Sequence, residues 1–319
     1  MNGKGFMIWK AADPEMVAPA ALATLAATSG FRHLEIKVAD GPAGYNLAYL
    51  RELVSACHAL GVQVWGWQYV YGVFPAQEAE RAKYVMAEYD LDGFLIDAEV
   101  EYKLAGAGAA KVYMARLREG WNGKPIGLCT YRFPSLHPEF PWDVFAGQVD
   151  FFAPQMYWVE AHNPADQLAN CLKEYRARWP GKKVAPVGAA YQENGWRATP
   201  GEIKEFAEAV QTAGLSGYSF WEWNNAIRYG LWDTVAGLEV ETGEDAEPAP
   251  TRATVRTAVL NFRSAPVVDA KNIITGLPRG AAVELVNLVT DAAGNTWAQV
   301  NLSGWVAVKY RGSTLAELS

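Results

Sequence analysis

Through the first 238 positions, short apolar runs alternate with longer stretches in which apolar residues recur every three or four positions. The short runs, at 5–9, 33–38, 62–71, 93–98, 125–131, 151–158, 183–189 and 218–221, predict strands buried on both faces. The longer stretches predict helices over 15–29, 47–60, 75–89, 105–119, 142–145, 163–179, 199–213 and 226–236. Glycines punctuate several ends (Gly30, Gly61, Gly214), and Thr199-Pro200 opens one helix as a cap and first-turn proline. Eight strands alternating with eight helical stretches predict a (β/α)8 TIM barrel. An open doubly wound sheet is the competing α/β arrangement, but no Gly-rich phosphate loop follows the first strand.

The pattern changes after residue 238. Residues 239–253 place Glu239, Glu241, Glu244, Asp245 and Glu247 among Thr, Gly, Ala and Pro without apolar periodicity, which predicts a linker. Residues 254–319 carry short β-like runs at 258–263, 283–287, 296–300 and 304–307, with a hairpin turn expected at 291–295. The expected organisation is a barrel over 1–238, a linker over 239–253 and a small all-β barrel over 254–319.

Charge and cysteine content narrow the possibilities. The net charge of −7 argues against a nucleic-acid partner. From Thr251 onward the chain carries net +3, against −10 before it, which is too little to define an anionic partner. No apolar run reaches the ~18 residues of a membrane span. The opening residues lack the apolar core of a signal peptide, so synthesis in the cytoplasm without a leader is expected. Cys57, Cys129 and Cys171 are too scattered for a disulfide framework or zinc cluster, and the four histidines form no ligand motif. No cofactor is expected. Aromatic residues are abundant, with 13 Trp, 15 Tyr and 12 Phe, and flat rings can pack a core or stack on sugars.

The candidate chemistry lies at Asp97 and Glu99. They sit two residues apart at the end of the fourth predicted strand, so they share a face at the barrel's C-terminal side. Two carboxyls there suit glycoside hydrolysis, one giving a proton and the other stabilising the sugar cation. Their close spacing predicts retention, with Glu99 as the acid, its pKa raised by burial and by Asp97. Glu101 extends the acidic row, but without supporting histidines no metal is expected. Glu222, at the eighth strand's end, is a candidate further acid. Asp40 and Glu35 stand beside it as candidate polar groups of the site; Gln68 and Gln155 are candidate partners of sugar hydroxyls, and Trp67, Trp158, Trp196, Trp223 and Tyr191 are candidate sugar platforms.

Three resemblances extend this reading. Ile36-Lys37-Val38-Ala39-Asp40-Gly41 and Leu95-Ile96-Asp97-Ala98-Glu99 resemble motifs of the glycoside hydrolase family 25 lysozymes, although Ile8-Trp9-Lys10 stands where that family carries a first-strand acid. Asp92 to Glu99 is similar to the DGxDxDxE signature of family 18 chitinase-like barrels, with Leu95 replacing the middle Asp. Gln155-Met156-Tyr157 resembles their sixth-strand QMY, and Trp221 stands where they place a floor Trp. Both resemblances imply Glu99 as general acid and an N-acetylated glycan as substrate. The second implies that Tyr157 positions the substrate acetamido group. The tail, through Leu260-Asn261-Phe262-Arg263-Ser264-Ala265-Pro266, Gly276-Leu277-Pro278-Arg279-Gly280, Trp297 with Val300, and Gly304-Trp305-Val306, resembles bacterial SH3-like (SH3b) domains, which implies binding to cell-wall peptidoglycan. Together they imply an endolysin-like enzyme of phage type acting at the bacterial wall. A glycan-binding barrel without catalysis and a chitinase-type N-acetylglucosaminidase are the alternatives.

Overall fold

A computed structural model describes residues 1–121, 123–238, 252–264, 268, 270–290, 296–300, 304–310, 313–314 and 316–318. The chain divides into two compact units, Met1–Thr242 and Gly243–Ser319.

In the first unit eight parallel strands close on themselves: β1 (Gly3–Ile8), β2 (His33–Asp40), β3 (Gln63–Val70), β4 (Gly93–Ala98), β5 (Ile126–Tyr131), β6 (Phe151–Met156), β7 (Val187–Ala189) and β8 (Gly217–Trp221). Each pairs with its sequence neighbour, and β8 returns to β1 with Gly5 opposite Ser219, closing the ring. Helices α1 (Pro19–Thr28), α2 (Leu47–Ala59), α3 (Pro75–Glu88), α4 (Val100–Arg118), α5 (Trp142–Ala146), α6 (Pro164–Arg178) and α7 (Pro200–Thr212) follow the strands in turn. This is the predicted TIM-type barrel.

Three details differ from expectation, each with a local cause. The helix after β4 begins at Val100 rather than near 105, and Gly106 interrupts it with a left-handed φ of 73°. The Gly106-Ala-Gly108 stretch hides the earlier helical turn from periodicity. The seventh predicted strand splits into Lys183–Val184 and β7, because Pro186 has no N–H for the ladder. The last helix is two pieces, α8 (Trp223–Arg228) and α9 (Trp232–Ala236), separated at Gly230, whose φ is 64°.

Two apolar layers result. Leu34, Ile36 and Val38 on β2 point outward and pack with helix residues such as Leu50, Leu53 and Cys57. Met7, Trp65, Trp67, Leu95, Cys129 and Phe151 fill the barrel interior. These large interior groups fit because glycines lie beside them: a Cβ on Gly93 would come within 2.3 Å of the Trp65 ring, and one on Gly5 within 1.9 Å of His33. A polar cluster occupies the same interior, where His33 contacts Ser219 Oγ at 3.1 Å and Glu35 at 3.3 Å, all fully buried. The first and last elements are joined by Lys4, whose buried Nζ donates to the carbonyls of Val235, Ala236 and Leu238 at 2.9–3.0 Å. Burial lowers that ammonium's pKa to about 8.

Among the described residues the second unit is built of β-strands with one 3-10 turn at Ala270–Asn272. Its strands are Arg252–Val255, Val259–Arg263, Ile273–Pro278, Ala282–Thr290, Thr296–Val300, Gly304–Tyr310, Ser313–Thr314 and Ala316–Leu318, with antiparallel pairing throughout. Ala253, Val255, Leu260, Phe262, Val283, Ala298 and Val300 form its core. The strand Ile273–Pro278 was not legible in the sequence; it lies at the sheet edge, where Gly276 and Pro278 are tolerated. Of the expected linker, residues 239–251 lie outside the described residues, as do Ala265, Pro266 and the expected turn at 291–295.

Candidate active site

At the C-terminal mouth of the barrel lies a cavity of about 240 Å³. Met7, Trp9, Lys37, Trp67, Tyr69 and Asp97 line it from the first four strands and the residue following β1. Glu99, Cys129, Gln155, Tyr157 and Trp221 complete it. Strand β4 stops at Ala98, and Asp97 and Glu99, at its end and just beyond it, both line the cavity as their spacing predicts.

Gln155 bridges the pair. Its Nε2 donates to Asp97 Oδ1 at 3.2 Å and to Glu99 Oε1 at 2.7 Å. Burial and the neighbouring Glu99 push the Asp97 carboxyl well above the ordinary range. Burial also raises Glu99, while the Gln155 bond works against the rise. Burial thus tilts both carboxyls toward the protonated form.

The aromatic surround is equally defined. Trp221 meets Trp67 edge-to-face at 5.5 Å and tilts against Trp9 at 6.0 Å. The Trp221–Glu222 peptide is cis. Tyr69 donates to Glu101 Oε2 at 2.7 Å, drawing the third acid of the row toward the rim. Among the described residues, no group of three or more His, Cys, Asp or Glu is arranged to hold a metal ion, and no helix is long and apolar enough to cross a membrane.

Of the residues predicted from sequence, Asp97, Glu99, Gln155, Tyr157, Trp67 and Trp221 meet in this cavity. Tyr191 stands behind it, edge-on to Tyr157 at 5.4 Å. Trp158 is fully buried, its Nε1 donating to Glu202 at 3.3 Å; β6 ends at Met156, so the chain has left strand phase before Trp158. Asp40 accepts from Tyr71 at 2.9 Å and pairs with Lys37 at 3.4 Å, outside the cavity lining. Glu222 does not join the pair either. It caps α8, accepting from the backbone of Asn224 and Asn225 at 3.2 and 2.8 Å and from the Asn225 side chain. Its surroundings are a separate 60 Å³ pocket with Lys10, Asp13 and Arg228.

The lining residues not singled out from sequence are Met7, Trp9, Lys37, Tyr69 and Cys129. Strand β2 carried a readable signal: His33, Glu35 and Lys37 alternate with Leu34, Ile36 and Val38, an inverted pattern that turns a polar face inward.

No family model matches this chain, and no curated protein matches it. The barrel is similar to several solved structures. The class V chitinase of Nicotiana tobaccum is 13% identical with a TM-score of 0.56, over 75% of this chain and 100% of that one. The spore cortex-lytic enzyme SleL of Bacillus cereus is 10% identical with a TM-score of 0.55, over 76% of each chain. A glycoside hydrolase family 18 N-acetylglucosaminidase of Paenibacillus barengoltzii is 12% identical with a TM-score of 0.52, over 74% of this chain and 99% of that one. At these identities the likeness is one of fold.

Proposed function

We propose that the protein is a retaining glycoside hydrolase acting on an N-acetylated glycan, with bacterial peptidoglycan as its polymer. The observation that carries this reading is the Asp97–Glu99 pair held by one Gln155 amide at an aromatic-walled cavity. Carboxyls bridged by a single nitrogen leave no space for the attacking water that inversion requires between them. The barrel likeness to a chitinase, an N-acetylglucosaminidase and a cortex-lytic enzyme supports the same substrate class.

In this mechanism a sugar ring rests on Trp221 with its glycosidic oxygen at Glu99. Glu99 gives its proton to the leaving oxygen as the C1–O bond breaks. The substrate's own acetamido oxygen closes on C1, forming a cyclic oxazolinium. Asp97, as carboxylate, stabilises the acetamido N–H, and the Tyr157 hydroxyl donates to the acetamido oxygen. Water then attacks C1 from the vacated side and returns a proton to Glu99, so two displacements give retention. The barrel 1–238 is the catalytic domain in this proposal, and the C-terminal β unit, linked through 239–253, holds the enzyme on the cell wall.

Product analysis by mass spectrometry tests the reading, using purified peptidoglycan and, separately, chito-oligosaccharides. Soluble muropeptides from the wild type and none from Glu99→Gln establish the hydrolase, and the reducing-end sugar identifies the bond. Cleavage of chito-oligosaccharides alone assigns a chitinase-type enzyme. Tight glycan binding without products from either polymer makes the barrel a binding protein and overturns the proposal.

A further inference from the structure

The ladder between β1 and β2 ends where Ile8 lies opposite Ile36. Trp9 and Lys37 follow as the next pair along the two chains, and a side chain from elsewhere continues the join. Asn46 Nδ2 donates to the carbonyl of Trp9 at 2.9 Å and to that of Lys37 at 3.0 Å, while its Oδ1 accepts from the Ala11 N–H at 3.1 Å. Lys37 also begins a β-bulge: it lies opposite Trp67, but Ala39 rather than Val38 lies opposite Gln68. The Asn46 amide therefore holds a carbonyl at the break in the β2–β3 ladder. Asn46 stands at the N-cap of α2, yet its side chain makes no cap bond there, and its φ of 52° is left-handed. An N-cap asparagine ordinarily turns its oxygen to its own helix; this one turns away to the barrel mouth. The position asks for two donors, an acceptor and a left-handed backbone at once. Asparagine supplies all of these, whereas aspartate lacks the donors and alanine lacks both the bonds and the tolerance of positive φ.

We propose that Asn46 is a positioning residue for glycan binding: by tying the Trp9 backbone to the β2 bulge it holds the Trp9 ring as a second sugar-stacking wall beside Trp221. The inference rests on the reading of this cavity as a glycan site. Trp9 lines the cavity, lies one residue past the end of its strand and is 37% exposed. Its ring centroid is 6.0 Å from that of Trp221, with the two planes 32° apart. An exposed indole at the mouth suits the apolar face of a sugar ring. It contributes affinity in proportion to how well its backbone is fixed beforehand, because a ring ordered only on binding costs entropy at that moment.

Other side chains hold this segment, but at different points. Trp67 Nε1 donates to Ile8 O at 3.1 Å, one residue before Trp9. Asn224 Nδ2 donates to Lys10 O at 3.2 Å, one residue after it. Further along, Arg228 bonds Asp13 and Glu15, and the Tyr49 hydroxyl donates to Val17 O at 2.7 Å. Asn46 takes the Trp9 carbonyl itself and ties it to β2, so it fixes the height at which the indole leaves the backbone.

The test reads the Trp9 indole and the response to glycan separately, both in the full chain. Asn46→Gly accepts the left-handed backbone and removes all three bonds, so it isolates the side chain. NMR of ligand-free protein labelled at the indole nitrogens follows the rings, with Trp9→Phe and Trp221→Phe assigning their signals. In Asn46→Gly the Trp9 and Trp221 signals shift and broaden, while that of Trp142, buried on α5, stays in place. With chitotetraose and with a soluble peptidoglycan tetrasaccharide, KM rises by about 3–10-fold, the worth of one hydrogen bond, and kcat falls by no more than about twofold. Trp9→Ala raises KM at least as much, and adding Asn46→Gly to it costs nothing further, because the two residues act in series. Asn46→Asp keeps the acceptor for Ala11 but has no donors, so it repeats the result and serves should the glycine variant fold poorly. Unmoved indole signals, an unchanged KM in a folded variant, or additive losses in the double variant each overturn the proposal; a lowered thermal midpoint alone makes Asn46 merely structural and overturns it too. Neither binding nor cleavage of either glycan by the wild type overturns the reading of the site instead, while the indole signals, which need no glycan, still decide the Asn46–Trp9 link.

Discussion

Glu99 and Glu222 occupy equivalent places and have opposite fates. Each follows a barrel strand, each stands at the N-cap of the next helix, and burial raises the pKa of each. Glu222 commits its oxygens to donors in the first turn of α8. Glu99 makes no cap bond with α4; its bond from Gln155 leaves the rest of the carboxyl facing the cavity. A raised pKa therefore does not distinguish the proposed acid from the capping one here. What distinguishes them is how many fixed donors already hold the oxygens, and whether a substrate atom can reach what remains.

The most severe way to break this comparison is to neutralise both acids in turn. Glu99→Gln should lower kcat by about 10²–10⁴-fold, the usual worth of a general acid, with the thermal midpoint preserved. Glu222→Ala should keep kcat within a few-fold but lose about 1–2 kcal/mol of stability, read as a lower denaturant midpoint. Equal losses of activity from both would show that Glu222 serves the chemistry.

Next in size is the pH response. Activity should fall on the alkaline side as the pair loses its remaining proton, at a pH above that expected for an ordinary glutamate, because burial raises Glu99. It should fall on the acidic side as Asp97 becomes protonated, again displaced upward. In Glu99→Gln any residual activity should lack the alkaline limb.

A smaller effect is expected at the floor of the site. Trp221→Ala should raise KM by roughly tenfold, about 1.4 kcal/mol of lost stacking, while leaving the pH limbs in place. The mildest substitution is Trp158→Phe. Its indole is sealed in the core and bonded to Glu202, so kcat and KM should stay within about twofold, with any penalty confined to stability.

The barrel was legible because both faces of its strands are covered, which writes each as a continuous apolar run between helical periods. Within the site, Asp97 and Glu99 were legible because i and i+2 on one strand share a face whatever surrounds them. Lys37 and Trp9 were not singled out, because lining a barrel depends on how eight strands are staggered, which no single segment records. Trp158 was misplaced for a related reason: strand alternation ceases at Met156, and residues beyond it follow the loop. The role of Glu222 was not written locally: glutamate is not among the residues that favour an N-cap, and its hold on Asn224 and Asn225 shows only once α8 is in place.

The contact between Lys4 and the carbonyls of residues 235–238 has a topological consequence. It brings the two ends of the barrel's covalent path together, with Lys4 Nζ 3.0 Å from Leu238 O. A short tether from 238 to 1 could join them, and the barrel could be reopened at an exposed βα loop as a circular permutant with the same ring of strands. A barrel cut before Val235 would instead leave a buried ammonium with no acceptor, a loss that closure elsewhere in the ring does not repair.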